Sequence, residues 1–86
     1  MKYLSFEVDV PENRAVRIDL SGTEANVRLM DWANFNSYKS NQAHRYYGGH
    51  YKSSPAMIRP PSPGHWYVVV DLGGAGGGVN AAVRVI

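Results

Sequence analysis

The residues best equipped for chemistry in this 86-residue chain are three histidines, a scatter of serines and carboxylates, and a dense set of aromatic side chains. Imidazoles ligate divalent metals, and two of them point the same way when they stand four apart on a helix or two apart on a strand. No pair among His44, His50 and His65 has either spacing. A small metal-dependent hydrolase built on these three would need loops to bring them together. Ser53, Ser54 and Ser62 lie in polar or proline-rich stretches without the sharp strand-to-helix turn that exposes a nucleophile, and there is no cysteine. Glu7, Asp9 and Asp19 fall at outward positions of strand-like segments, where solvated charge is the usual explanation. Asp71 differs, because it sits on the second face of a strand that can be buried on both sides. It would then need a partner such as Arg84. The glycine run 73–78 lacks the spacing and the lysine of a phosphate loop, and a β-rich segment follows it rather than a helix. It is expected to be a flexible connection between strands.

The aromatic set carries the strongest functional signal. Trp32, Phe35, Tyr38, Tyr46, Tyr47, Tyr51, Trp66 and Tyr67 crowd into residues 32–67, interleaved with amide and basic side chains. Such rings stack on planar groups while their neighbours hydrogen bond to the edges. Trp66 and Phe35 are expected to fill the core. Tyr46, Tyr47 and Tyr51 cannot all point inward, so a contact face is expected at Arg45, Tyr46, Tyr47, His50, Tyr51 and Lys52, with tyrosines giving stacking area and cations giving polar anchors. Single-stranded nucleic acid could use the same rings. The formal net charge of only +2, with no two basic residues adjacent, disfavours it.

The elements that must position these residues read as strands. Leu4, Phe6, Val8 and Val10 alternate with Tyr3, Ser5, Glu7 and Asp9, a period of two that marks one buried face. After Pro11-Glu12-Asn13 the device repeats in Val16, Ile18 and Leu20, so the first two strands are expected to form an antiparallel hairpin. Ala25, Val27 and Leu29 oppose Asn26, Arg28 and Met30 in a third. From Asp31 the period of two stops. Asp31 can cap a short helix or irregular loop in which Trp32 and Phe35 share a side and close one end of the core. Residues 45–52 read as two short strands about a Gly48-Gly49 turn or bulge. Ala56 to Arg59 is a brief strand that Pro60, Pro61 and Pro63 confine to an edge. Residues 65–72 form the central strand, with Trp66, Val68, Val70 and Leu72 opposite Tyr67, Val69 and Asp71. Val79 to Ile86 is the last. About seven short strands with turn chemistry between them predict an all-β fold: a single small antiparallel β-sandwich, its wiring open to a jelly roll, with at most one short helical turn.

Eighty-six residues are enough for one hydrophobic core and not two, so residues 1–86 are expected to be one domain. With no cysteine, neither a disulfide scaffold nor a thiolate metal site is available. No apolar run approaches the ~20 residues that span a bilayer, and acidic Glu7 and Asp9 stand where a signal peptide carries its apolar stretch. A cytoplasmic protein without membrane contact is expected.

Three blocks together carry a family resemblance: Ala33-Asn34-Phe35-Asn36-Ser37-Tyr38, the run His44 to Tyr51, and the run Ser62 to Gly74. With the Val83-Arg84-Val85-Ile86 ending, they make the chain resemble the small bacterial family called domain of unknown function 1883. The resemblance implies a compact all-β domain, found alone or ahead of a Toll/interleukin-1 receptor domain, and it supplies no activity or catalytic residue. Such an arrangement suggests a recognition module beside an effector. This chain is too short to hold the effector, so its function is expected of the β domain alone, as an oligomer or with a separate partner. The reading that results is a non-enzymatic binding or protein-interaction module, without cofactor or metal, for an unknown protein or small ligand.

Overall fold

The computed structural model describes residues 3–22, 24–73 and 77–86. Seven strands and one helix follow in the order β1 (Tyr3–Val10), β2 (Val16–Gly22), β3 (Ala25–Met30), α1 (Trp32–Lys39), β4 (Tyr47–Tyr51), β5 (Ala56–Ile58), β6 (Gly64–Asp71) and β7 (Val79–Val85). They form two antiparallel sheets, one with the order β1, β6, β3, β4 and the other β5, β2, β7. The sheets face each other as a sandwich. Val10, Val16, Ile18, Val27, Leu29, Trp66, Val68 and Val70 fill the space between them, drawn from the alternating positions that the sequence marks as apolar. Removing each such side chain from water is worth about 1.5–3 kcal/mol, and these residues are what hold the two sheets together. Among the described residues no helix is long and apolar enough to cross a membrane.

Several connections differ from the sequence reading. β1 and β2 are not a hairpin: β1 pairs with β6, whereas β2 pairs with β5 and β7 in the opposite sheet. The turn after Pro11, with Asn13 at φ 63°, carries the chain across the sandwich, so the apolar faces of β1 and β2 meet through the core. Turn residues announce that the chain reverses, and they leave open whether the next strand pairs or crosses. Residues 45–52 hold one strand rather than two. Gly48 takes φ 131° inside β4, and the pairing with β3 continues past it from Leu29↔Tyr47 to Ala25↔Tyr51. An added Cβ there would lie 2.1 Å from the Val27 carbonyl oxygen, so only glycine lets the strands close at this point. β5 lies at an edge, as its flanking prolines require. Of the glycine connection, residues 74–76 lie outside the described residues.

The helix starts because the Asp31 carboxylate accepts from the Asn34 N–H at 2.9 Å. It runs eight residues and ends in a Schellman arrangement. There Asn41 N–H donates to Tyr38 O at 3.1 Å and Gln42 N–H to Ser37 O at 2.8 Å. Asn41 adopts φ 58°, which asparagine tolerates better than most residues. Instead of closing one end of the core, α1 lies on the outer face of the four-stranded sheet. Phe35 makes a second apolar cluster there with Met30 and Val69, flanked by Tyr3, Tyr38 and Tyr67, and it stacks on Tyr67 at 4.7 Å. Trp32 stays 55% exposed.

Candidate functional site

The register of the four-stranded sheet sets side chains in rows on its outer face. Tyr3, Asp71, Asn26 and His50 are mutual partners across β1, β6, β3 and β4, and Ser5, Val69, Arg28 and Gly48 form the next row. Helix α1 covers the middle of this face and leaves the first row beside its C-terminal end. The polar groups of the two rows converge on Asp71.

Asp71 is only 1% exposed, and both of its oxygens are occupied. Oδ1 accepts from Asn26 Nδ2 at 2.9 Å and from the Gly73 N–H at 2.8 Å. Oδ2 accepts from the Tyr38 hydroxyl at 2.8 Å and from Arg28 Nη1 in an ion pair. Burial by itself would push this carboxyl upward. The hydrogen bonds from Asn26 and Tyr38, the Arg28 charge and the Gly73 N–H outweigh it and hold the group below the usual carboxylate range. The same environment raises the Tyr38 hydroxyl, first by burial and then by its bond to the carboxylate. Because Asn26 commits its amide nitrogen to Asp71, its oxygen is left to accept from His50 Nδ1 at 3.1 Å, and His50 Nε2 faces Glu24 at 3.3 Å.

Arg28 is the hinge between this buried network and the surface. Its guanidinium lies 5.0 Å from the Tyr46 ring centroid and 5.8 Å from that of Tyr38, within cation–π range of both. Its Nε is buried and has no hydrogen-bond partner, so Asp71 does not exhaust its donors. The loop after the helix brings Tyr46 there. Asn34 acts as the strap: its amide donates to Asp31 at 2.9 Å and its oxygen accepts from the Arg45 N–H at 2.7 Å. His44 packs edge-on to Tyr38 at 5.2 Å, and its Nδ1 donates to Gln42 O at 2.9 Å. Tyr3, Arg28, Tyr38, Lys39, Asn41 and His44 together line a cleft of about 390 Å³.

The expected contact face divides between the two sides of β4. Tyr46 and His50 lie on the outer face, with Arg28 and Asn26. Tyr47 and Tyr51 turn the other way: Tyr47 meets Trp66 edge-on at 6.1 Å, and Tyr51 packs against the core. Tyr46 and Tyr47 are 42% and 47% exposed, so two phenols do reach solvent, on opposite sides. Arg45 is exposed on the loop, and Lys52 borders a separate small hollow with Glu24 and Ser54. Asp71 does not meet Arg84. That residue is on β7 in the other sheet, 3.8 Å from Asp19, while Asp71 faces away from that sheet. The histidines have separate settings, with His65 donating from Nδ1 to Asp9 at 2.7 Å and from Nε2 to Glu7 at 2.9 Å. Those two carboxylates raise the His65 imidazole above its ordinary value of 6.5. Among the described residues no group of three or more histidines, cysteines or carboxylates is placed to hold a metal ion.

Sequence reasoning passed over Arg28, Asn26 and Tyr3 as members of a site. The signal existed, since Asn26 and Arg28 share the outer face of their strand and Asp71 shares the outer face of its own. What was missing was the fact that those two strands are neighbours. No curated protein and no solved structure matches this chain. The blocks that supply Tyr38 and His44 to the cleft, and Asn34, Tyr46 and Asp71 to the structure around it, are the ones that carry the family likeness, and the match extends over the whole chain: residues 1–86 fit the model of domain of unknown function DUF1883, the family to which the protein belongs.

Proposed function

We propose that this domain is a non-enzymatic recognition module whose contact site is the cleft beside the C-terminal end of α1, walled by Tyr3 and Tyr38, with Arg28 in its lining held between Asp71 beneath and Tyr46 beside it. The observation that carries this reading is the Arg28 guanidinium, fixed from below by a buried carboxylate and flanked by two tyrosine rings at a surface cleft. Guanidinium and phenol groups held in place lose little side-chain entropy on binding, which is why arginine and tyrosine dominate the energetics of contact sites. The hydroxyls nearby have structural work: Tyr38 donates to Asp71 and Ser37 to the Ala33 carbonyl. Among the described residues none of the three histidines hydrogen bonds a hydroxyl that could serve as a nucleophile. A recognition role also accords with the arrangement expected from the family resemblance, in which such a domain stands ahead of a Toll/interleukin-1 receptor domain.

The test is two-dimensional NMR of the 15N-labelled protein against a fragment library. Hits should shift the amides of Asn41, His44 and Tyr46, and Tyr46→Ala should weaken them at unchanged fold. Tyr47→Ala serves as the control on the opposite side of β4. Hits that collect on the Tyr47 side, or on the outer face of the β5, β2, β7 sheet, would refute the assignment.

A further inference from the structure

Resting on the recognition role just proposed, we infer that the cleft takes a small organic anion: a planar ring bearing a carboxylate or a phosphate. Its volume of about 390 Å³ lies within the range of small-molecule sites. The lining supplies a guanidinium, an ammonium and an imidazole, from Arg28, Lys39 and His44, and no carboxylate. Asp71 lies beneath as the counter-charge of Arg28, its oxygens filled by four donors. Lys39 is therefore the uncompensated charge. Among the described residues it makes no ion pair, and its ammonium rests over the rings of Phe35 and Trp32 at 4.8 and 5.2 Å. An anion entering the cleft would find the Lys39 side chain in its lining and, beside it, the 19% of the Arg28 side chain that stays exposed.

The ring preference comes from the walls. Tyr3 and Tyr38 stand edge to face at 5.2 Å, and His44 stands edge to face with Tyr38 at 5.2 Å, so the cleft offers aromatic surface on more than one side. His44 donates from Nδ1 to the Gln42 carbonyl, so in the neutral ring Nε2 is an acceptor and His44 offers an anion ring surface rather than a donor. The helix ends here in its carbonyl groups, which disfavour an anion placed along the axis. Lys39, in the last turn, offsets that field, and its removal should be felt directly.

The experiment follows the Lys39, Asn41 and His44 resonances of the whole 86-residue chain while titrating single probes. Benzoate and phenyl phosphate carry both features and separate the two kinds of anion. Acetate and inorganic phosphate lack the ring, whereas phenol and benzylamine lack the negative charge. Saturable shifts are expected with benzoate, phenyl phosphate or both, at least about tenfold tighter than with any of the other four and weaker as salt is added. Lys39→Gln, an exposed substitution that leaves the fold intact, should reduce that affinity by about tenfold. If phenol or benzylamine binds this cleft as well as the ring anions do, the anion assignment falls and the recognition site survives. Equal binding by acetate or inorganic phosphate would remove the ring requirement and overturn the inference likewise. No shift at these resonances with any probe would overturn both.

Discussion

Asp71 concentrates the chemistry of this protein at the scale of one residue. A carboxylate buried alone would be too costly to keep charged, and it is tolerated because four donors meet it, one of them the Arg28 cation. Tyr38 is the most informative of the four to remove, since it touches both the carboxylate and the cleft. Tyr38→Phe keeps the ring and deletes one charge-assisted hydrogen bond, which should cost about 1.5–3 kcal/mol in denaturant unfolding. The sequence singled out Asp71 as a carboxylate in need of a partner and named the wrong arginine. An alternating pattern reveals which face a residue occupies. It does not reveal which strand lies alongside, and Arg28 reaches Asp71 because β3 and β6 are neighbours, whereas Arg84 belongs to the other sheet.

At the scale of elements, α1, its following loop and β4 form one unit bound to the outer face of the sheet by Phe35 and by the Asn34 strap. β4 is an edge strand, and its closeness to β3 depends on Gly48. Gly48→Ala would place a methyl group against the Val27 carbonyl at a positive φ and should cost about 1–3 kcal/mol or more, read as a lower unfolding midpoint. It should also disturb the Tyr46 amide, because Tyr46 immediately precedes β4 in the loop that brings its ring to Arg28. Gly48-Gly49 resembles a turn in sequence since glycine serves both purposes. Only the length of β3 opposite, which offers partners all the way to Tyr51, decides for a continuous strand. The helix was legible from Asp31 and the loss of the period of two. Its resting place was not, because a helix with one buried aromatic can lie on a sheet face as readily as at the end of a core.

For the whole molecule, the titrating groups define the pH range of stability. Asp71 has a depressed folded-state value, so its contribution is present above its ordinary 3.8 and is lost as pH falls through the folded value. His65 and Tyr38 are raised, so their contributions are present below their ordinary 6.5 and 10.0 and are lost as pH rises through the folded values. Thermal unfolding followed across pH should accordingly fall away at both ends. Tyr38→Phe should flatten the alkaline limb, and His65→Gln should remove the slope above neutrality. An unchanged alkaline limb in Tyr38→Phe would show that another group governs it. By itself the sequence determined the all-β sandwich class with about seven strands, which side of β1, β2, β3, β6 and β7 faces the core, the helix start, the edge position of β5 and the kinship with DUF1883, because periodicity, caps and prolines act over a few neighbouring residues. The tertiary structure alone decided that β1 and β2 oppose each other across the core, that Tyr46 and Tyr47 part company, and that Arg28 rather than Arg84 answers Asp71. Those outcomes depend on the order of strands within the sheets, which is set by the joint packing of segments far apart in the chain and is written in no single stretch of it.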